Sequence, residues 1–186
     1  MTGPPASGKT FVAGLVADRL GVPLIEKDAI KETLFETLGS GDVAWSQQLG
    51  RATLALMFRG LEAQLKARQP VIVEANFAPE DALPRFQALD ERYPLKPLEL
   101  HCTAPDDVLL ARYAARVVAR HPGHHDAERM PDIASAVAAG RYRPLGLSED
   151  VVVVDTTSFD DLDADRLLQA AREHLGVGVR CARDAR

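Results

Sequence analysis

Eight residues near the amino end, Gly3-Pro4-Pro5-Ala6-Ser7-Gly8-Lys9-Thr10, have the types and spacing needed to hold a polyphosphate. They fit G-x-x-x-x-G-K-[ST], the Walker A or P-loop pattern. Gly3 and Gly8 permit backbone angles that side chains resist, so the N–H groups around Ala6 and Ser7 can turn inward as an anion nest. Lys9 brings a positive charge to the β- and γ-phosphates, and the Thr10 hydroxyl is a ligand for Mg²⁺. The helix that starts here points its positive dipole end at the same phosphates. The bland reading is a chance glycine-rich turn; all four fixed positions and the apolar-periodic helix behind them argue against it.

Further chemistry-bearing residues follow apolar runs. Asp28, after Val22–Glu26, is either the N-cap of a helix or a general base toward an acceptor hydroxyl. Lys31, one turn on, binds a substrate anion or faces water; solvent is the stronger reading from sequence alone. Glu74 closes Val71-Ile72-Val73 in the Walker B manner, where a carboxylate holds the water shell of Mg²⁺; otherwise it is an acid beside a loop. Asn76 contacts substrate or caps the next turn. Arg112, Arg116 and Arg120 are spaced by four and so share nearly one helix face. No acid lies between Asp107 and Asp126 to pair with them locally. Such guanidiniums suit bidentate phosphate recognition and neutralise a phosphoryl group in transfer; the alternative is a solvated face. His121, His124 and His125 form no recognised ligand set and read as a lid tip. Cys102 reads as a small buried apolar residue, and Trp45 as core or pocket wall. Asp155-Thr156-Thr157 borders the adenine site by position alone.

These residues need elements to position them. Helical spacing of Phe11, Leu15, Val16 and Leu20 predicts a helix over 9–20, stopped by Gly21. Strands are expected at 22–26, 71–76, 97–102 and 151–154. Helices are expected from Asp28 to Leu38 with Ile30, Leu34 and Leu38 on one face, and over 44–67, 81–91, 105–120, 131–139 and 163–175. The alternation predicts an α/β fold with a parallel sheet covered by helices on both faces, a three-layer P-loop NTPase architecture. Ligands of such sheets sit beyond the carboxyl ends of the strands. A single domain is expected over 1–176, with a lid around 106–143 and a frayed tail over 177–186. One strand is absent from this reckoning. A P-loop closes a buried strand, yet only Met1 and Thr2 precede Gly3, so the central strand reads as missing or truncated. That leaves two unpaired edges in mid-sheet. The expectation is a start roughly 6–10 residues upstream; with Met1 as the start, a weakened phosphate site and poor stability are expected.

The 186 residues carry a net charge of −5, with 46% hydrophobic and 26% charged residues. Nothing in that balance draws long nucleic acid or an anionic membrane, so nucleic acid is possible as a partner but not favoured. No apolar run is long enough to span a bilayer, and no secretory leader is visible. Cys102 and Cys181 have no CxxC spacing, which points to a reducing, cytoplasmic setting.

GPPASGKT, then EKDAIKETL, VIVEANF and an arginine-bearing helix ending in RHPGH, resemble the P-loop kinases. Within them the chain looks like the AAA-type kinase-like proteins near polynucleotide 5′-kinases, zeta toxins and chloramphenicol phosphotransferase. The resemblance implies a sheet of order 2-3-1-4-5 with a small lid, and transfer of the γ-phosphate of ATP·Mg²⁺ to a hydroxyl of a small molecule or a nucleic acid 5′-end. It implies Asp28 as the base, and Lys31 where the polynucleotide kinases have Arg. The family's lid arginines match Arg112, Arg116 and Arg120 in type. Lys9, Asp28, Arg116 and Arg120 are then catalytic; Gly3, Ala6, Ser7, Gly8, Lys9, Thr10 and Arg112 bind nucleotide. Asp28, Lys31 and Asn76 meet the acceptor, and Thr10 and Glu74 serve Mg²⁺. The rival readings are a nucleotide-binding regulatory ATPase and a catalytically degenerate ATP-binding protein.

Overall fold

The computed structural model describes residues 1–149 and 151–176. The expected tail at 177–186 lies outside them. Among the described residues, seven α-helices and four strands alternate: α1 Lys9–Leu20, β1 Leu24–Glu26, α2 Lys27–Leu38, α3 Val43–Lys66, β2 Ile72–Glu74, α4 Pro79–Asp90, β3 Glu99–Thr103, α5 Asp106–Arg116, α6 Asp126–Ala138, β4 Val151–Asp155 and α7 Ala164–Leu175, with a 3₁₀ turn at Pro122–His124. Strands β1 and β2 pair in parallel, with Glu26 opposite Glu74. Strands β3 and β4 pair likewise, with Thr103 opposite Asp155.

Met1 and Thr2 join the two pairs. The amino nitrogen of Met1 donates to the Val73 carbonyl at 2.9 Å, and Ala75 N–H donates to the Met1 carbonyl. On the other side Thr2 N–H donates to Leu100 O and Cys102 N–H to Thr2 O, each at 2.9 Å. The order is therefore β1, β2, the Met1–Thr2 stub, β3, β4, which is 2-3-1-4-5 when the stub is counted as the first strand. The central strand is present as the Met1–Thr2 stub. Two residues occupy both edges where the loop departs, which corrects the expected pair of unsatisfied edges.

One core cluster lies between the sheet, α1 and α7, with Val12, Val16, Cys102, Val154 and Leu168 buried. The other lies on the opposite face under α3 and α4, around Phe58, Phe77 and Phe86, whose rings meet edge to face. Two helix faces differ from their expected stripes. In α1 the buried apolar residues are Val12, Ala13, Val16 and Ala17, while Phe11 is 55% exposed and meets the Phe159 ring edge-on. In α2 the inward residues are Lys31 and Phe35, and Leu38 is exposed. The spacing of apolar residues misleads here because a lysine takes an inward position. Helix α6 begins five residues before its expected start, with Pro131 inside it. Trp45 lies in neither core cluster; its indole N–H donates to Gly39 O and braces the turn before α3.

Candidate active site

The loop between the stub and α1 bends as its spelling requires. Gly3 has φ 131°, Ala6 φ 64° and Gly8 φ 73°, angles that let the intervening N–H groups converge. Ser7 is fully buried, and its Oγ has no hydrogen-bond partner among the described residues. Lys9 is 7% exposed. Its Nζ donates to Pro4 O at 2.7 Å and stands 4.0 Å from Glu74 Oε1. Burial lowers the Lys9 pKa against the pull of Glu74; burial raises that of Glu74 against the pull of Lys9. An anion placed in this nest would relieve the buried ammonium. Thr10 Oγ1 donates to Glu74 Oε2 at 3.5 Å. A hydroxyl and a carboxylate side by side are hard oxygen donors of the kind Mg²⁺ takes beside nucleotide phosphates, so Ser7, Lys9, Thr10 and Glu74 fit ATP·Mg²⁺.

Asp28 is the second residue of α2, and Glu26 occupies the cap position without a side-chain bond. The N-cap reading therefore falls. The Asp28 side chain is 41% exposed and accepts a hydrogen bond from Arg120 Nη2, with Lys27 Nζ 3.9 Å away. Burial alone would raise its pKa; Lys27 and Arg120 outweigh this and hold it at about 2.

The arginines are not an unpaired stripe. Arg120, past the end of α5, also donates to Asp126 Oδ2 at 3.1 Å and lies 3.9 Å from Glu32. Arg116 Nε is 3.5 Å from Asp126 Oδ2, and its guanidinium covers the Tyr113 ring. The Tyr113 hydroxyl donates to Asp126 Oδ1 at 2.9 Å. Burial raises the Asp126 pKa, but Arg120, Tyr113 and Arg116 together hold it low. Arg112 parts from the other two. It donates to the carbonyls of Thr156 at 2.8 Å and Thr157 at 3.0 Å, and its guanidinium lies 4.8 Å from the Phe159 ring centre. Phe159 in turn covers Gly8, where a Cβ would come within 2.7 Å of its ring. Asp155 turns back to Thr157 N–H and hydroxyl, shaping that loop.

Lys31 overturns the solvent reading. It is 5% exposed and donates to Ser46 Oγ at 3.0 Å; burial lowers its pKa to about 8, with Lys27 and Arg129 adding to the effect. Asn76 accepts from Lys27 Nζ at 2.9 Å, and the cap of α4 is Ala78 instead. The histidines do not make a free lid tip. His121 stacks on Phe35, His124 is buried and bonds Glu32 at 3.0 Å, and His125 bonds Glu128 and Gly41 O.

One cleft thus gathers Ala6, Lys9, Thr10, Asp28, Lys31, Glu74, Asn76, Arg116 and Arg120. Arg112 stands at the Thr156–Phe159 loop instead. Sequence reasoning passed over Lys27, Tyr113, Asp126 and Arg129, which also line the cleft. Asp126 carried a signal, being the first acid after the arginines. Arg129 carried none, since α6 was expected to start after it.

A P-loop, a sheet of order 2-3-1-4-5 and arginines beyond β3 that reach the same cleft define a P-loop kinase-like protein. The AAA-domain signature matches residues 1–145, and the chain belongs to that family. A provisionally named kinase from Chloroflexus aurantiacus is 34% identical, covering 92% of this chain and 95% of its own, with TM-score 0.85. The tunicamycin resistance protein of Deinococcus radiodurans is 19% identical over 95% and 94% of the two chains, with TM-score 0.55. A shikimate kinase of Bacteroides thetaiotaomicron is 18% identical over 95% and 96%, with TM-score 0.53. The last two show a shared fold alone. A search of curated proteins found no match.

Proposed function

We propose that the protein is an ATP-dependent phosphotransferase acting on a hydroxyl acceptor. The observation that carries this is Asp28: a carboxylate on the first turn of α2 opens into the same cleft as the P-loop lysine, bound to the lid residue Arg120. A carboxylate there is placed to orient an acceptor hydroxyl and take its proton, as a kinase requires. Lys9 and the nest N–H groups hold the phosphates, and Thr10 and Glu74 would hold Mg²⁺, which neutralises charge on them. Arg112 and the Thr156–Phe159 loop border the base. On loading, the γ-phosphate competes with Asp28 for Arg120, and the freed carboxylate orients the acceptor hydroxyl and takes its proton. Arg116 and Arg120 then neutralise the transferring group, and the lid excludes water. The kinase name of the Chloroflexus relative supports this reading. Reliance on ATP makes the cytoplasm the natural setting.

The test is Asp28→Asn, with ADP release and ATP binding measured separately. Acceptor-dependent turnover should fall roughly 10²–10⁴-fold while ATP still binds. Unchanged turnover would remove Asp28 from the chemistry. ADP release indifferent to any acceptor would favour a regulatory ATPase.

A further inference from the structure

The cleft is basic in an acidic chain, and its charges are unevenly paired. Lys9, Lys27, Lys31, Arg116, Arg120 and Arg129 line it against three carboxylates, Asp28, Glu74 and Asp126, in a chain whose net charge is −5. The carboxylates are already engaged: Glu74 stands by Lys9, Asp126 by Arg116 and Arg120, and Asp28 by Arg120 and Lys27. Among the described residues, no carboxylate lies within ion-pair distance of Lys31 or Arg129. The partners of buried Lys31 are neutral: its Nζ donates to Ser46 Oγ, which itself donates to Gly123 O at 2.7 Å, and lies 5.2 Å from the centre of the Phe35 ring. Burying an ammonium on neutral partners is unfavourable unless an anion completes the site.

Neither residue belongs to the phosphate machinery. Lys31 is on α2, three positions after Asp28, and Arg129 is on α6. Residues three apart on a helix have Cβ atoms roughly 5–6 Å from each other. A ligand bound at Lys31 can therefore present to Asp28 a hydroxyl a few bonds from its charged group.

We propose that the acceptor is a small hydroxyl compound bearing a carboxylate or phosphate, which Lys31 and Arg129 bind while its hydroxyl faces Asp28. This rests on the phosphotransferase reading above. In the transfer the acceptor O–H proton passes to the Asp28 carboxylate, and the acceptor oxygen forms a bond to the γ-phosphorus. The bond from γ-phosphorus to the bridging oxygen breaks, and ADP leaves with the electron pair. The anionic group of the acceptor is unchanged, serving to orient the hydroxyl. A polycation such as an aminoglycoside is repelled from the same wall.

Two measurements test this separately from the kinase reading. ADP release is followed with ATP·Mg²⁺ and D-gluconate, D-glycerate or D-glucose 6-phosphate, against D-glucose, kanamycin and a 5′-hydroxyl oligonucleotide. In parallel the P-loop is saturated with ADP·Mg²⁺ and the same three anions are titrated calorimetrically at pH 8 in buffers of different ionisation enthalpy. At least one anion should bind with proton uptake, because it restores the charge of Lys31. Arg129→Gln and Lys31→Met should each weaken that binding, and raise the acceptor KM, by about 10–100-fold, the range of a charged hydrogen bond, with a smaller change in kcat. Anion binding lost in both variants, with no ADP release from any acceptor, overturns the phosphotransferase reading and leaves the anion site standing. Turnover of glucose or kanamycin equal to that of the anions overturns the anionic acceptor, and turnover of the oligonucleotide alone overturns the small one. Unchanged binding in both variants, or no binding by any of the three anions, also overturns the anionic acceptor.

Discussion

At Gly3 neither the backbone angle nor the space admits a side chain. Its φ is 131°, and a Cβ would stand 2.2 Å from the Cys102 carbonyl oxygen, which belongs to β3 and cannot swing aside. Gly8 differs, since its φ is 73° and the crowding atoms are the partly exposed Phe159 ring, which can rotate. Gly3→Ala should therefore lower the melting temperature by about 5–10 °C, from backbone strain of about 1–3 kcal/mol plus displacement of β3. Gly8→Ala should lose less stability and more ATP affinity, because the strain falls on the nest. Thermal melts beside nucleotide titrations separate the two. Equal melting temperatures for both variants would contradict the assignment of β3 as the rigid neighbour.

One acid links the end of α5 to the start of α6. Asp126, at the first position of α6, receives Tyr113 and Arg120 and stands beside Arg116, so it ties α6 to the end of α5. The turn between them is anchored on α2, where the Phe35 ring packs against His121 and His124 and leaves no space for a Cβ at Gly123. Asp126→Asn removes the charge and leaves two arginines partly buried. It should destabilise the protein by about 3–5 kcal/mol, as breaking a buried ion pair does. Tyr113→Phe removes one neutral donor and should cost about 1 kcal/mol. Chemical denaturation of the pair is the check; similar losses would show that the hydroxyl rather than the charge network holds the lid.

At the scale of the whole molecule, His124 and Asp28 tie stability to pH. Burial, then Arg120, pushes the His124 pKa from 6.5 to about 3. The groups facing it are Arg120, Asp28, Lys31, Asp126 and Glu32. Between pH 6.5 and 3 the unfolded chain binds a proton that the folded chain refuses, so stability is full above 6.5 and falls with acidification, by at most about 1.4 kcal/mol per pH unit. Asp28, depressed from 3.8 to about 2, adds stability that is present above 3.8 and lost as pH falls toward 2. Both act in one direction. Melting temperature should therefore decline steadily from pH 6.5 to 4, and His124→Gln should flatten that decline. A variant with an undiminished slope would remove His124 as its source.

The P-loop was legible because its determinants are local: glycines that permit positive φ, and a lysine and hydroxyl fixed by a contiguous turn. The α/β alternation was legible for the same reason, through apolar runs and stops such as Gly21 and Gly176. The placement of Asp28 beside the P-loop could be read too, since it needs only a strand end. Lys31 could not, because its burial is made by Ser46 on α3, 15 residues on, and by the far more distant turn at Gly123. The arginines looked unpaired because Asp126 reaches them only after the chain reverses. The central strand looked absent because Met1 and Thr2 show their pairing only when β2 and β3 flank them in space. Residue types and short spacings thus determined the phosphate chemistry and the order of elements. The tertiary structure alone decided which charges are paired and which wait for a ligand, because burial and ion pairing depend on distance in space rather than along the chain.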